Sequence, residues 1–214
     1  MALTRLRVAV LVSGRGSNMR ALVADTRRPD HPADVVLVAS NDPGCEGLAW
    51  AKLQGLPVAG IDHRMFGGRE AFERSLHTVL EIHRIEFVCL AGFMRLLTPW
   101  FVNQWAGRLI NIHPALLPSF RGLHTHARAL AEGVKIHGCT VHHVVPEMDA
   151  GPIIAQAAVP VLEGDTAATL GARVLAQEHR LYPHALRLVA GEQAGSPEPR
   201  GGDDPVLVVP PLPG

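Results

Sequence analysis

The sequence lacks the features that mark membrane, secreted or nucleic-acid-binding proteins. Its longest early apolar run, Val8 to Val12, is too short for a signal-peptide core or a membrane span. Only three cysteines occur, Cys45, Cys89 and Cys139, and they form no CxxC pair, so no disulfide framework is expected. Acidic and basic residues number 20 each, which leaves no broad charged surface for nucleic acid or lipid. These absences predict a cytoplasmic protein with buried free thiols.

The composition that remains is that of a globular domain. Of the 214 residues, 47% are hydrophobic and 19% are charged, which is far from the composition of a disordered chain. We expect a single domain over residues 1–190, followed by a tail over residues 191–214 in which glycine and proline are concentrated. Within this tail, Val206–Val209 is a candidate short strand.

Apolar runs of strand length alternate with helix-compatible segments in the first half of the chain. The predicted strands are Leu6–Val12, Val35–Ala39, Pro57–Ile61, Phe87–Ala91 and Leu109–Ile112. The predicted helices between them are Met19–Ala24, Glu46–Gln54, Arg69–His83 and Pro99–Trp105. Continuous apolar strands that are separated by helices indicate a parallel sheet covered on both faces. The predicted fold class is therefore α/β, with a doubly wound and mostly parallel sheet.

The pattern changes in the second half of the chain. After a predicted helix at His124–Glu132, the runs Cys139–Val145 and Ile153–Val161 follow each other with only a short loop between them. Two strands without an intervening helix favour an antiparallel hairpin, which we expect at the C-terminal edge of the sheet. Ala167–Ala190 is a long helical stretch, and Pro183 is expected to break or kink it.

A glycine-containing loop follows the first predicted strand and precedes a helix. The segment Ser13–Asn18 reads SGRGSN, and its two glycines allow close approach of an anion to the backbone and to the free N–H groups of the helix start. The loop is neither a dinucleotide fingerprint nor a Walker A sequence, so a single phosphate fits it better than a dinucleotide or a triphosphate. The alternative is a plain tight turn in which Ser17 or Asn18 is the helix N-cap.

Asn111 and His113 lie at the end of the fifth predicted strand. Residues two apart on a strand share a face, so both side chains should project together at the carboxyl edge of the sheet. An amide that binds an oxygen, beside an imidazole that carries a proton, suits acyl transfer. The alternative is that His113 is one structural histidine among twelve.

Asp149 lies in the loop of the predicted hairpin, where an aspartate commonly bonds only to its own backbone. The sequence alone does not bring it to His113. If the two side chains meet, the carboxylate would favour the imidazolium and fix its orientation.

Two further histidine pairs raise the question of a metal site. They are His124 with His126, and His142 with His143. Neither pair has the spacing of a zinc motif, and adjacent residues on a strand point to opposite faces. We therefore expect no metal. A GxSxG elbow is also missing, which disfavours a serine hydrolase.

Several segments together resemble the folate-dependent formyltransferase family, and within it the phosphoribosylglycinamide formyltransferases. The likeness runs in order from about Arg7 to Gly191. The segments that carry it are Ser13–Asn18, Leu90–Arg95, Asn111–Pro118, Gly122–His126 and Asp149–Pro152. The Asn-x-His motif and the aspartate are shared across the family. The phosphate loop and the chain length narrow the choice to its purine-pathway member.

The resemblance implies a reaction and a catalytic trio. A formyl group would pass from 10-formyltetrahydrofolate, the cosubstrate, to the amine of glycinamide ribonucleotide in de novo purine biosynthesis, without a metal. Asn111, His113 and Asp149 would be the catalytic residues. The partners implied are these two small molecules, with no nucleic acid and no membrane, and the protein would be a monomer or a homodimer.

The resemblance also implies binding residues for both substrates. Gly16, Ser17 and Asn18 would hold the phosphate of the ribonucleotide, with Glu178 reaching the ribose. The residues implied for folate binding are Arg69, Met94, Arg95, Leu96, Leu97, Val145, Pro146, Glu147 and Met148. Arg15 departs from the family pattern, in which a small or amide residue is common, and the tail after Gly191 matches poorly.

Three rival functions remain open from the sequence. A formyltetrahydrofolate hydrolase would share the trio but carry an added N-terminal domain, whereas the first strand here begins at Leu6. A methionyl-tRNA formyltransferase would carry a C-terminal RNA-binding domain, and no basic cluster follows Gly191. The third rival is a non-catalytic nucleotide-binding module with the same fold, which would bind ligands without turnover.

Overall fold

One mixed sheet organises the part of the chain that a computed structural model describes, residues 5–193 and 207–208. Its strands are β1 (Leu6–Val12), β2 (Ala33–Ser40), β3 (Val58–Gly60), β4 (Phe87–Leu90), β5 (Leu109–His113), β6 (Ile136–His143), β7 (Ile153–Pro160) and β8 (Leu207–Val208). Their spatial order is β3-β2-β1-β4-β5-β6-β7-β8. The crossover between β1 and β4 places the carboxyl ends of these two strands side by side, where ligands bind in open α/β sheets.

Strand direction changes once the chain passes β5. β1 is parallel to β2 and to β4, and β4 is parallel to β5. β6 is antiparallel to both β5 and β7, and the two residues of β8 run parallel to β7. The predicted fold class, a mostly parallel sheet with an antiparallel C-terminal hairpin and a long C-terminal helix, is therefore confirmed.

Six α-helices occur in the described residues. They are α1 (Ser17–Thr26), α2 (Glu46–Leu53), α3 (Arg69–Ile82), α4 (Pro99–Gln104), α5 (Thr125–Ala131) and α6 (Ala167–Gln193). None of them is long and apolar enough to cross a membrane. α6 extends past the predicted end at Ala190, while the first strand has the bounds that its sequence predicted.

Pro183 lies inside α6, which continues past it to Gln193, so of the expected break or kink the break is wrong and the kink stays a prediction. A proline costs a helix interior about 3 kcal/mol because it removes an N–H donor and crowds the preceding turn. Its neighbours offset that cost, since Tyr182 and Leu186 are fully buried against the sheet. The Tyr182 hydroxyl also donates to the carbonyl oxygens of Leu90 (2.9 Å) and Ile110 (3.2 Å), which fixes α6 across β4 and β5.

Both faces of the sheet are covered, which explains why the strands are apolar without alternation. On β1, Val8 and Val10 belong to the core that contains α1 and α6, whereas Ala9 and Leu11 belong to the core that contains α3 and α4. All four residues have no solvent exposure. Central strands that are buried on both sides position the loops at their carboxyl ends rigidly.

The hairpin begins earlier than its sequence predicted, because β6 starts at Ile136 rather than Cys139. The sequence did not indicate this earlier start, because Gly138 lies near it and glycine is typical of loops. Here it permits close approach, because a Cβ at this position would collide with the carbonyl oxygen of Ala157. Of the candidate strand Val206–Val209, only Leu207–Val208 is described, and the rest lies outside the described residues.

Candidate active site

The site is built at the end of β5, on the face of the sheet opposite α1 and α6. Ile110 and Ile112 point into the core beneath α6, so Asn111 and His113 project from the other face, as their spacing predicted. Asn111 is partly buried, and His113 is 5% exposed. In the antiparallel ladder, Asn111 lies opposite His142 and His113 lies opposite Thr140. The strand therefore places an amide and an imidazole next to each other at one edge of the sheet.

The loop between β6 and β7 brings Asp149 to this edge. Asp149 has a left-handed backbone with φ of 51°, a conformation that aspartate tolerates better than most residues. Gly151 lies two residues further along, and a Cβ at this position would collide with the His143 carbonyl oxygen. The turn leaves the Asp149 carboxylate with its Oδ2 3.5 Å from Nδ1 of His113. The structure thus brings Asp149, from the β6–β7 loop, to the end of β5, where Asn111 and His113 lie.

The backbone N–H of Gly122 holds the Asp149 carboxylate by donating to Oδ2 at 2.8 Å. Gly122 belongs to the segment that joins β5 to α5, and its φ of 81° suits glycine. This segment is anchored at Thr140, whose hydroxyl donates to the Ala115 carbonyl (2.7 Å) and accepts from Leu117 N–H (3.0 Å). A fixed backbone donor therefore orients the acid towards the histidine.

Both ring nitrogens of His113 face oxygen acceptors. Nε2 lies 3.0 Å from the Phe120 carbonyl oxygen, and Nδ1 faces the Asp149 carboxylate. Acceptors on opposite sides of the ring restrict its rotation, and an imidazole held in this way can carry a proton to or from a reacting atom.

His142 lies on the other side of the same carboxylate. Its Nε2 is 3.8 Å from Oδ1 of Asp149 and 3.3 Å from Nδ2 of Asn111. The ring is 2% exposed, and this burial lowers the pKa of His142, against the opposing effects of the His143 carbonyl and the Asp149 charge. The Asp149 carboxylate thus lies between two buried histidines of the site, His113 and His142.

The loop after β1 forms an open helix start. α1 begins at Ser17, with Gly16 as its N-cap in the left-handed conformation, φ 70°. No side chain caps this end, so the alternative in which Ser17 or Asn18 is the N-cap is wrong. A Cβ on Gly16 would lie 2.7 Å from Cε of Met19 and 3.2 Å from Cα of Gly47. The first N–H groups of α1 are left without a side-chain acceptor, as an anion site requires.

Asn18 and Glu178 form a buried polar pair beneath this loop. Nδ2 of Asn18 donates to Oε2 of Glu178 at 2.6 Å, and the two residues are 8% and 7% exposed. Burial raises the pKa of Glu178, while the hydrogen bond from Asn18 opposes that shift. Oδ1 of Asn18 has no partner among the described residues. A buried acceptor of this kind can accept a hydrogen bond from a hydroxyl or amine of a ligand.

The predicted folate residues occupy two loops. After β4, Met94 is 67% exposed and Leu96 is 61% exposed, while Leu97 packs against the core and Arg95 is half-buried. In the β6–β7 loop, Pro146, Glu147 and Met148 are exposed and Val145 is half-buried. Arg69 is exposed at the first residue of α3. Exposed apolar side chains at the carboxyl edge suit a flat ring with polar margins.

Side chains from other elements hold the loop after β4 in place. Ser13, directly after β1, accepts from the Met94 N–H at 2.8 Å and donates to Oδ1 of Asn41. At the far end, the buried carboxylate of Glu73 accepts from the N–H of Thr98 at 2.8 Å and from its hydroxyl. The loop expected to contact folate is thus tied directly to the start of the phosphate loop.

The histidine pairs considered for metal binding have other surroundings. His126 Nδ1 lies 3.1 Å from His137 Nε2, and His142 and His143 occupy opposite faces of β6. Within residues 5–193 and 207–208, no group of three or more histidine, cysteine, aspartate or glutamate side chains is arranged to hold a metal ion.

Three groups of the site were not identified from the sequence. They are the Phe120 carbonyl, the Gly122 N–H and the His142 ring. Backbone donors and acceptors leave no mark in a sequence, although the glycine at position 122 is a weak signal of an unusual φ. His142 could have been found by aligning the hairpin with β5, because residues opposite each other in a ladder are neighbours.

Residues 6–186 match the formyl transferase family. The chain is 43% identical to phosphoribosylglycinamide formyltransferase of Escherichia coli (strain K12) over 178 residues, which cover 83% of this chain and 84% of that protein. It is 50% identical over 186 residues to the trifunctional purine biosynthetic protein adenosine-3 of Homo sapiens. That alignment covers 87% of this chain and 18% of the human protein, so the chain spans less than a fifth of that relative.

Solved structures show the same likeness. Glycinamide ribonucleotide transformylase 1 from Symbiobacterium toebii superposes with a TM-score of 0.85 at 44% identity, covering 88% of this chain and 89% of that one. Phosphoribosylglycinamide formyltransferase from Brucella melitensis superposes with a TM-score of 0.84 at 50% identity, covering 87% and 96%. Both values indicate a shared fold over nearly all of each chain.

Proposed function

The chain belongs to the formyl transferase family, as its motifs predicted, and on that premise we propose that it is a phosphoribosylglycinamide formyltransferase. It transfers a formyl group from 10-formyltetrahydrofolate to the amine of glycinamide ribonucleotide, a step of purine biosynthesis. The observation that carries the proposal is the meeting of Asn111, His113 and Asp149 at the end of β5, with 3.5 Å between His113 Nδ1 and Asp149 Oδ2. The high identity to enzymes of this name supports the choice of substrates.

The proposed chemistry is direct acyl transfer. The substrate amine attacks the formyl carbon, a C–N bond forms, and negative charge develops on the formyl oxygen. Asn111 donates an amide N–H to that oxygen, and protonated His113 places a positive charge beside it. The bond to the folate nitrogen then breaks, the attacking amine loses a proton, and the folate nitrogen gains one.

Asp149 acts on His113 rather than on the substrates. Its carboxylate faces Nδ1 of His113, while the carbonyl oxygen of Phe120 faces Nε2. Two acceptors at opposite nitrogens fix the plane of the ring, and the carboxylate balances the positive charge that the proposed acid carries. The Gly122 N–H keeps the carboxylate in this position, so the acid does not have to reorganise during the reaction.

The nucleotide is proposed to bind at the start of α1. Gly16, Ser17 and Asn18 present uncapped N–H groups to the phosphate, where the helix dipole adds to the attraction. Glu178 lies against Asn18 at 2.6 Å and is proposed to reach the ribose. Arg15 is exposed in the same loop, so its guanidinium is free to approach a phosphate.

The folate is proposed to lie between the loop after β4 and the β6–β7 loop. Exposed Met94, Leu96 and Met148 offer apolar surface for the ring system, and half-buried Arg95 lies between the first two. Arg69, on the neighbouring helix, is proposed to meet an anionic part of the cosubstrate. Holding both reactants at one edge of the sheet removes much of the entropic barrier of their meeting.

Domain extent, compartment and assembly follow from the same proposal. Residues 1–190 are proposed to form one formyltransferase domain, followed by the tail at 191–214. All three cysteines are free and buried, which suits the reducing conditions of the cytosol. The proposed partners are the two small molecules, with the protein acting as a monomer or homodimer and needing no metal.

A steady-state assay of folate product separates this function from its rivals. Product formation that requires glycinamide ribonucleotide supports the proposal. Equal turnover without that substrate would identify a formyltetrahydrofolate hydrolase, and turnover that requires methionyl-tRNA would identify a tRNA formyltransferase. Binding of both ligands without turnover would identify a non-catalytic module.

A further inference from the structure

His142 is a buried histidine of the site for which the transfer reaction itself supplies no role. It lies directly opposite Asn111 in the ladder between β5 and β6, so the two side chains share a face of the sheet. Nε2 of His142 is 3.3 Å from Nδ2 of Asn111, and Nδ1 is 2.9 Å from the carbonyl oxygen of His143. Each ring nitrogen therefore has a single protein group beside it at hydrogen-bonding distance.

The hydrogen-bond pattern fixes the tautomer of His142. The carbonyl oxygen of His143 can only accept, so Nδ1 of the ring must carry a proton. The ring is 2% exposed, and burial disfavours a second proton by lowering the pKa of His142. Nε2 therefore keeps its lone pair and accepts a hydrogen bond from the amide of Asn111.

We propose that His142 is a positioning residue for the formyl transfer: by accepting one N–H of the Asn111 amide, it directs the second N–H of that amide towards the developing oxyanion. The inference rests on the proposed function, since it concerns the same oxyanion. A side-chain amide presents either N–H donors or an oxygen to a ligand, depending on a rotation of 180°. An acceptor at Nε2 selects the orientation in which nitrogen faces the reacting centre.

Loss of that acceptor has a chemical consequence. An unrestrained Asn111 amide can turn its oxygen towards the formyl oxygen, and two oxygens with partial negative charge repel each other. A doubly protonated His142 would have the same effect, because its Nε2–H would donate a hydrogen bond to the amide oxygen of Asn111. The titratable groups whose charges act on His142 are Asp149 from the loop, His113 from β5 and His143, whose side chain lies on the opposite face of β6. Of these, the Asp149 charge favours protonation, and the two histidines oppose it.

Steady-state kinetics of two variants test the role. His142→Phe fills the space but accepts no hydrogen bond, so kcat should fall about 30- to 100-fold, approaching the loss of one oxyanion donor. KM for both substrates should stay within about threefold, because the lost interaction acts on the transition state. His142→Gln supplies a side-chain oxygen that can accept from Asn111, and it should retain kcat within about tenfold of the wild type.

His143→Gln is the matched control, because His143 is the next residue of β6 and its side chain lies on the opposite face. It should leave kcat unchanged. Wild-type kcat in His142→Phe, or an equal loss in His142→Gln and His142→Phe, would overturn the positioning role. A wild-type protein that forms no formylated ribonucleotide would instead overturn the proposed function.

The tautomer is measurable in the wild-type protein, without a variant and without substrates. Nitrogen-15 NMR of the histidine rings at pH 7.5 should show His142 protonated at Nδ1 and unprotonated at Nε2. Resonances of an Nε2-protonated ring or of an imidazolium would overturn the inference, even if both variants failed to fold.

Discussion

The carboxylate of Asp149 lies 3.5 Å from Nδ1 of His113, although His113 ends strand β5 and Asp149 lies in the β6–β7 loop. The contact depends on a left-handed backbone at Asp149 and on the N–H of Gly122, which donates to the same carboxylate oxygen at 2.8 Å. It places the Asp149 carboxylate where it can orient the His113 ring.

Replacement of Asp149 by asparagine tests that role, because the shape is kept and the charge is removed. At neutral pH, kcat of Asp149→Asn should fall about 10- to 100-fold, since the proposed acid loses the carboxylate that orients its ring and balances its positive charge. Ring resonances of His113, followed by NMR against pH in both proteins, give the charge directly. Glu163→Gln, which removes an exposed carboxylate from the turn before α6, should leave kcat unchanged. Identical His113 titrations in wild type and Asp149→Asn would show that Asp149 does not set its charge.

His113 itself should matter for turnover far more than for binding. His113→Ala removes the positive charge beside the oxyanion, so kcat should fall about 10²- to 10⁴-fold. Titration calorimetry with a non-reactive folate analogue should give a Kd within about threefold of wild type, because that charge acts mainly on the transition state. Near-normal kcat in this variant would exclude His113 as the catalytic acid.

Gly16 should be essential for affinity towards the phosphate. Gly16→Val places a Cβ against Cε of Met19 and Cα of Gly47, in a left-handed conformation that valine adopts poorly. The Kd of glycinamide ribonucleotide should rise at least tenfold, while the Kd of the unphosphorylated riboside should change little. Gly55→Ala is the control, because Gly55 has a similar φ of 76° with nothing near its Cβ. Parallel changes for both ligands would argue against a phosphate loop.

The buried histidines predict how stability depends on pH. Burial, and then the charge of His126, lower the pKa of His137 from 6.5 to about 4. Between these values the unfolded state binds a proton that the folded state excludes, so the free energy of unfolding decreases as pH falls from 6.5 towards 4. Burial also lowers the pKa of His31, His126 and His142, which adds to the effect.

Thermal denaturation of His137→Gln should isolate one part of this dependence. The Tm of the variant should fall less steeply than that of the wild type below pH 6.5, and the two curves should run parallel above it. The same slope in both proteins below pH 6.5 would contradict the assignment of a neutral buried His137.

The local pattern of apolar residues in the sequence predicted most of the strands and helices. The continuous apolar run Leu6–Val12 predicted a strand buried on both faces, and β1 has the same bounds with its core residues divided between two clusters. Helix continuity at Pro183 was not predictable, because it depends on the burial of Tyr182 and Leu186 against distant strands. Local propensity is overridden wherever packing of this kind contributes more than the proline costs.

The residues of the site also fall into two groups, those that local spacing predicts and those that depend on contacts between distant segments. Asn111 and His113 are two apart on a strand, so the period of the backbone alone predicted that they would share a face. The approach of Asp149 could not be predicted, because it depends on a left-handed turn and on a backbone donor from another segment. His142 was considered for metal binding, and only the register of β6 against β5 reveals that it contacts Asn111.

The destination of the formyl carbon tests the central claim most directly. The protein is incubated with glycinamide ribonucleotide and with 10-formyltetrahydrofolate that carries carbon-13 in its formyl group. The labelled products are then identified and quantified by mass spectrometry. The account predicts that the label appears on the ribonucleotide amine in a one-to-one ratio with the tetrahydrofolate formed, and that His113→Ala loses most of this product. Label recovered as free formate, at the same rate with or without the ribonucleotide, would contradict it.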